Sequence, residues 1–234
     1  MRKETVEIVR DLVNLLDFTF VIDNATDNGD GTYTLESCNT YHLQATPNCP
    51  IIIDGSSYTI TEVQSNEYII VKGASIPVVT EFAVPKPYYF HGTVLNTNVE
   101  LSRIDYFNKF PMVYLLEVIT DTFNNEDEAV ERESDLRLFF LTSANFQDWK
   151  TGDHYKEAIL PMRSLAYNFI NVLNSNKIIS NFAQYSMINR VNFGVYVTDK
   201  GNTERIFNDN MSGVELRLTL PIKRDLSCKI NCNN

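Results

Sequence analysis

The sequence predicts an α+β protein, in which a four-stranded antiparallel sheet has two helices on one face and carries an inserted small all-β domain. Two segments, residues 5–16 and 153–173, place apolar residues at steps of three and four, which is typical of amphipathic helices. Between residues 18 and 95, short alternating runs are separated by turn-forming pairs, which indicates a small sandwich or barrel. We therefore expect a discontinuous core, residues 1–17 and 96–234, around an inserted β domain, residues 18–95.

Composition supports a packed protein and limits its partners. Of the 234 residues 44% are hydrophobic, which is enough for one large domain or two small ones. The formal net charge is −10 and the sequence shows no basic cluster, which argues against a general nucleic-acid-binding protein. We find neither a secretory signal nor an apolar stretch near the ~18 residues of a membrane span. We therefore expect a cytoplasmic origin and no membrane partner.

The first half of the chain begins with the predicted helix and continues with turns. Five apolar residues share one face of the helix: Val6, Val9, Leu12, Val13 and Leu16. Turn sequences follow as NGDG at 28–31, DGSS at 54–57 and QSNE at 64–67. The surrounding segment DNATDNGDGTY, which begins at Asp23, could suggest a calcium loop. The twelfth position counted from Asp23 is Thr34, however, where a calcium loop requires Glu. A hairpin tip is therefore the preferred interpretation.

The second half alternates strand-like runs with one long helix. The runs PMVYLLEVIT (111–120) and DLRLFFLT (135–142) are predicted to pair as a hairpin, with an acidic loop between them. Pro161 should kink the helix at 153–173 or begin its second half, because proline lacks the N–H donor. The runs RVNFGVYVT and GVELRLTLP are predicted to form a second hairpin.

Candidate metal and catalytic residues are few. The cysteines are Cys38, Cys49, Cys228 and Cys232, whose spacing does not repeat the tight pair of a zinc site. The histidines are His42, His91 and His154. Of these, only His154 has a neighbouring carboxylate, Asp153, and a hydrolase that uses this histidine is a third alternative for the function. No known catalytic motif is present, so we expect no catalytic residue, no cofactor and no metal.

Two further segments are candidates for binding. The sequence PKPYYFHG contains Tyr88, Tyr89 and Phe90, which could stack on sugars or bases, although aromatic residues in strands more often belong to the core. The other segment is acidic and has seven carboxylates against one arginine, a local charge of −6. Its carboxylates are Asp121, Glu126, Asp127, Glu128, Glu131, Glu133 and Asp135. A solvated loop would explain this charge, but so would a contact with a partner.

The chain also resembles a known class of virion proteins. The segments that carry the resemblance are FHGTVLNTNVEL, FPMVYLLEV, ERESDLRLFFLTSANFQDW, DHYKEAILPMRSL and a final strand ending LTLPI. They are similar to neck and tail-completion proteins of crAss-like and related tailed phages of Bacteroidota. Such proteins form rings between the portal and the tail, and the tail-terminator members have a small sheet with helices packed on it. The resemblance covers about residue 90 to the end.

The resemblance implies a structural virion protein rather than an enzyme. We expect a homo-oligomeric ring of six or twelve copies in the phage neck or upper tail, assembled in the cytoplasm of the bacterial host. The ring would contact neighbouring neck, tail or portal-proximal proteins, and double-stranded DNA would pass through it without specific binding. The seven acidic residues would face the lumen or an adjacent ring, where negative charge repels the passing polyanion. The alternative is a surface-binding β module on a phage particle that recognises a glycan or a protein.

Overall fold

The structure, a computed structural model, describes residues 3–16, 19–37, 50–64, 67–77, 81–83, 86–124, 129–180 and 184–224. Strands make up 46% of these residues and helices are few. The prediction of a four-stranded sheet with two helices on one face is therefore wrong. The strands form sheets of seven, six and two strands.

The helices lie at the start and in the middle of the chain. They are α1 (Thr5–Asn14), α2 (Val94–Leu101), α3 (Tyr106–Lys109), α4 (Thr151–His154) and α5 (Leu160–Ser175). A π-helical turn, Tyr155–Ile159, connects α4 and α5 into one continuous helical segment. The two predicted helices are confirmed by α1 and by this segment. Pro161 is the second residue of α5, where the α-helical hydrogen-bond pattern restarts after the π turn.

The first sheet is antiparallel and comes from the first third of the chain. Its strands are β1 (Thr19–Val21), β2 (Asn24–Asp27), β3 (Thr32–Glu36), β4 (Pro50–Ile53), β5 (Ser56–Gln64), β6 (Tyr68–Lys72) and β7 (Glu81–Ala83). Five strands pair continuously in the order β4-β5-β6-β3-β2, and the short β1–β7 pair joins them through the single pair Ile52 and Ala83. The predicted hairpin tip joins β2 to β3, with Gly29 and Gly31 both at φ +80°.

The second sheet has six strands, which lie between residues 88 and 223. Its strands are β8 (Tyr88–Gly92), β9 (Met112–Leu116), β10 (Thr120–Phe123), β11 (Val130–Ser143), β12 (Tyr185–Phe193) and β15 (Met211–Lys223), and a separate pair is β13 (Val195–Val197) with β14 (Thr203–Arg205). The order is β12-β15-β11-β9-β8, and β10 also pairs with β11. The predicted pairing β9–β11 is present. The second predicted pairing is present only in part, because the start of the run RVNFGVYVT lies in β12 and pairs with β15, whereas Val195–Val197 form β13 and pair with β14. The unpredicted strands are β8, which runs parallel to β9, and β10.

The second sheet is covered differently on its two faces. One face belongs to a continuous core that also includes the apolar side of α1, α5 and the inner residues of the first sheet. Phe140 lies in this core, whereas its neighbour Phe139 lies in a smaller core with Leu101 of α2 and Phe207. Successive residues of a strand point to opposite faces, so the smaller core marks the outer face of the sheet. The smaller core covers only part of the outer face, and charged residues lie on the rest of that face.

Candidate assembly surface

A buried glutamate organises three arginines on the outer face of the second sheet. Glu215 of β15 has no exposed side-chain surface. Its Oε1 accepts hydrogen bonds from Nε of Arg137 at 2.7 Å and from Nε of Arg217 at 2.6 Å. Its Oε2 accepts bonds from Nε of Arg190 at 2.7 Å and from Nη2 of the same residue. We call these three arginines the arginine cluster; with Glu215 they have a net charge of +2.

Strand register brings the cluster together. Arg137 of β11 lies directly opposite Arg217 of β15, and Arg190 of β12 lies opposite Gly213 of β15. Two arginines in opposite positions would repel each other. Glu215, two residues from both Arg217 and Gly213 on the same face, supplies the carboxylate that binds all three guanidinium groups.

The cluster stays charged at neutral pH. Burial alone would raise the pKa of Glu215, but hydrogen bonds from Arg217, Arg137 and Arg190 lower that pKa to about 2. The hydrogen bond to Glu215 also raises the pKa of Arg217. The side chains of Arg137, Arg190 and Arg217 remain 41%, 36% and 45% exposed, so the positive charges are accessible from outside.

A shallow groove of about 480 Å³ runs beside the cluster. Its lining includes Arg137 and Arg217 together with Asp135, Gln184, Ser186 and Thr219. The carboxylate of Asp135 accepts a 2.6 Å hydrogen bond from the hydroxyl of Thr219. The groove therefore offers guanidinium donors beside a single carboxylate, an arrangement that suits an anionic group with hydrogen-bonding neighbours.

The predicted acidic loop is mostly strand. Asp121 lies in β10 and is half-buried, and it accepts hydrogen bonds from Ser134 Oγ at 2.5 Å and from Thr5 Oγ1 at 3.2 Å. Arg132 Nη1 lies 3.7 Å from the same carboxylate. This carboxylate therefore connects the start of α1 to the second sheet, which is a role inside the chain.

The other predicted acidic residues have different positions. Glu131, Glu133 and Asp135 lie in β11, where Glu133 and Asp135 are exposed and Glu131 is half-buried. The remaining three, Glu126, Asp127 and Glu128, lie outside the described residues. Whether any of the seven faces a lumen or an adjacent ring stays a prediction.

The outer face of β11 changes sign along the strand. Glu133, Asp135 and Arg137 alternate with buried residues, so all three point to the same face. Glu133 lies opposite Thr122 of β10, whereas Arg137 lies opposite Arg217. One end of the sheet is therefore acidic and the middle is basic.

An edge strand and a projecting hairpin adjoin the arginine cluster. Among the described residues, β12 pairs with β15 along one edge and with no strand along the other. The hairpin β13–β14, which we call the arm, follows β12 and pairs only within itself in this part of the chain. Exposed apolar residues lie on β12, on the arm or directly after it: Tyr185, Val191, Tyr196, Val197 and Ile206. At the base of the arm, Phe207 stacks on Phe193 with ring centroids 5.4 Å apart.

The histidines do not form a catalytic site in the described structure. His154 is buried, with Nδ1 3.2 Å from Ser212 Oγ and its ring against the edge of Trp149. Burial lowers the pKa of His154 below its ordinary value, which favours the neutral form of the ring at pH 7. The Asp153 carboxylate instead accepts the backbone N–H of Lys150 at 2.8 Å. His91 is exposed, and its Nδ1 lies 3.7 Å from the carboxylate of Glu117. His42 lies outside the described residues.

The aromatic segment lies in β8 and contributes to packing. Phe90 is buried in the smaller core. The hydroxyl of Tyr89 donates a 2.9 Å hydrogen bond to the carbonyl of Val6, and burial raises the pKa of that hydroxyl. Tyr88 is half-buried. These rings therefore connect the second sheet with α1 and the smaller core, and they belong to the second sheet rather than to the first.

Metal binding would need clustered ligand side chains, and a membrane-spanning helix would need to be long and apolar. The four cysteines lie outside the described residues. Within the described ranges, no group of three or more His, Cys, Asp or Glu side chains could hold a metal ion. No helix of the described chain is long and apolar enough to cross a membrane.

Comparison with known proteins leaves the family open. Family profiles, curated protein sequences and solved structures all gave no match to the chain.

Proposed function

We propose that this chain is a non-enzymatic structural subunit of a homo-oligomeric ring in the neck or upper tail of a tailed phage. The ring joins the portal or connector to the tail and surrounds the DNA channel. The observation that supports this proposal most is the outer edge of β12, which pairs with no strand among the described residues, together with the arm that follows it. The resemblance to phage neck and tail-completion proteins supplies the location.

An open edge strand is a template for pairing with another chain. In a strand paired on one side, alternate residues direct their backbone N–H and C=O groups to the outer edge, and among the described residues β12 pairs with β15 alone. Monomeric proteins usually protect such an edge, whereas assembly proteins use it. Apolar residues exposed on β12 and on the arm, such as Val191 and Val197, would become buried when a neighbouring subunit covers them.

A ring requires two different surfaces that meet repeatedly. Head-to-tail contacts generate a closed ring when the rotation between neighbours closes. The second sheet offers two such surfaces at opposite edges, with β12 at one edge and β10 at the other. The net charge of −10 suits a subunit that surrounds DNA without binding it, because phosphate contacts need clustered positive charge facing the duplex.

Immunogold labelling of virions tests this function. Virions shown by mass spectrometry to contain the chain would be labelled with antibodies against it and imaged by negative-stain microscopy. We expect gold at the junction of head and tail, and an antibody against a major capsid protein is the matched control. Gold on the capsid surface or on the tail fibres would contradict the proposal.

The surface-binding alternative has less support. Its candidate residues Tyr88, Tyr89 and Phe90 lie in the second sheet, where Tyr89 and Phe90 take part in packing. A glycan array probed with the full chain separates the two functions. Specific binding to one glycan class would favour the alternative, and we expect none.

A further inference from the structure

We infer that the arginine cluster binds the acidic end of a second copy of this chain through carboxylate–guanidinium contacts. We define the acidic end as Glu133 of β11 with the adjacent face of β10 around Thr122. This inference rests on the proposed function, in which copies of the chain contact one another.

The arginine cluster is held in a fixed position and is accessible. Glu215 uses one donor each from Arg137 and Arg217 and two from Arg190. A guanidinium group carries five N–H donors, so most donors of the cluster are not used by Glu215. Since Glu215 is buried and all three arginines bind it, their side chains are ordered before any partner arrives, which reduces the entropy lost on binding.

The acidic end is too far away to bind the cluster of its own subunit. Glu133 precedes Arg137 by four residues along β11, which is about 13 Å at the usual rise of a strand. Opposite Glu133, the neighbouring strands present Thr122 and Pro221, neither of which carries a charge. A second copy can bring its Glu133 to the cluster, which Glu133 of the same chain does not reach.

The two surfaces lie on the same face of the second sheet. Arg190 extends the cluster to β12, at one edge of that sheet, and the acidic end adjoins β10, which flanks β11 on the side away from β15 and β12. Two copies that face each other across a two-fold axis bring each acidic end to the cluster of the other copy. A nucleic acid is a poorer fit for the cluster, because the chain has a net charge of −10.

Charge-swap complementation with the full chain tests this contact. Variant A, Gln184→Glu with Ser186→Glu, adds two carboxylates to the groove beside the cluster at exposed positions, one of them opposite Arg217, and so offsets the positive charge of the cluster. Variant B, Glu133→Lys, makes the acidic end positive. A control, Ser56→Glu with Ser57→Glu, makes the same charge change as variant A at exposed positions of the first sheet.

Self-association would be measured by sedimentation velocity at low salt and millimolar protein concentration. We expect the wild type and the control to associate, and variants A and B to associate about tenfold more weakly each. An equimolar mixture of A and B should regain the wild-type association, since the introduced lysine then meets the introduced glutamates. Salt at about 1 M should weaken the wild-type association. Circular dichroism of each variant checks that it is folded.

Three results would overturn the inference. The first is that the wild type stays monomeric at low salt. The second is that variant A or variant B associates as strongly as the wild type, or that their equimolar mixture does not regain the wild-type association. The third is binding of double-stranded DNA that variant A loses in a mobility-shift assay, which would assign the cluster to phosphate. The proposed function fails separately, if immunogold places the chain away from the neck. Gold at the neck together with unaffected variants would disprove only this contact.

Discussion

Arg137 and Arg217 lie directly opposite each other on β11 and β15, and both donate through Nε to the same oxygen of Glu215. A pair of facing arginines is stable in a sheet only if an anion lies between them. The buried carboxylate therefore stabilises the fold and also holds two positive charges on an exposed face.

Replacing Glu215 with glutamine should destabilise the protein strongly. The substitution keeps the shape of the side chain but leaves three guanidinium groups close together without a compensating charge. Because the arginines are partly exposed, we expect a loss of about 2–3 kcal/mol in the free energy of unfolding. Urea denaturation measures this loss. Glu133→Gln, at an exposed position of β11, is the control and should change the free energy by less than about 0.5 kcal/mol.

The pH dependence of stability should show the same carboxylate. The hydrogen bonds of Glu215 lower its pKa to about 2 in the folded state, from an ordinary value of 4.5. A lowered pKa stabilises the folded state above the ordinary value, and this contribution is lost as the pH falls through about 2. Between about pH 4.5 and 2 the stability of the wild type should therefore fall more steeply than that of Glu215→Gln. Parallel curves would contradict the role assigned to Glu215.

His154 should give the protein a second pH dependence in milder acid. Burial lowers the pKa of His154 in the folded state, so the unfolded chain takes up a proton first as the pH falls. Stability is then highest above the ordinary pKa of about 6.5 and decreases below it until the folded-state pKa is reached. Thermal unfolding of the wild type at about pH 7.5 and 5.5 measures the decrease. His91→Gln should keep this decrease, whereas His154→Gln should reduce it.

Gly213→Ala should disrupt the pairing of β15 with β11. A Cβ atom at Gly213 would lie 1.9 Å from the carbonyl oxygen of Phe140, which belongs to the backbone and cannot move aside. We expect a loss of more than about 2 kcal/mol in the free energy of unfolding, as is usual for overpacking in a core. Gly152→Ala is the matched control, because a Cβ atom there meets nothing within 4 Å. Equal stability of the two variants would disprove the predicted crowding at Gly213.

Asp121→Ala should loosen the attachment of α1 to the second sheet. The substitution removes the acceptor that Ser134 and Thr5 share. The two hydroxyls lie 3.1 Å apart, so one can donate to the other, and the remaining donor loses its acceptor in a largely buried site. The expected cost is about 1–3 kcal/mol, the usual penalty for unsatisfied buried polar groups. Hydrogen exchange should show faster exchange of the α1 amides in this variant than in the wild type. Unchanged exchange in α1 would contradict the role assigned to Asp121.

Local patterns predicted the local elements correctly. The spacing of Val9, Leu12 and Val13 is sufficient for α1, and the pair Asn28–Gly29 is sufficient for the hairpin tip, since both depend on residues close in sequence. The sheets were predicted incorrectly because their pairing is long-range. Strand β8 pairs in parallel with β9 across α2 and α3, and no turn sequence marks such a pairing. Strand β10 lies within the acidic segment, whose charge suggested a loop.

The arginine cluster was missed for a similar reason. In the runs DLRLFFL and VELRLTL, charged residues alternate with apolar ones. This alternation places Arg137, Glu215 and Arg217 on the face of their strands opposite to the apolar residues. That signal is present in the sequence. The meeting of these residues with Arg190 depends on the registers of β11 and β12 against β15, which the sequence alone does not specify.

A cryo-electron microscopy reconstruction of the neck of a virion that contains this chain tests the central claim most directly. We predict a closed ring of six or twelve copies at the junction of head and tail, in which each β12 edge and arm are covered by the neighbouring subunit. A reconstruction without this chain at the junction, or with β12 and the arm of every copy facing bulk solvent, would contradict the account.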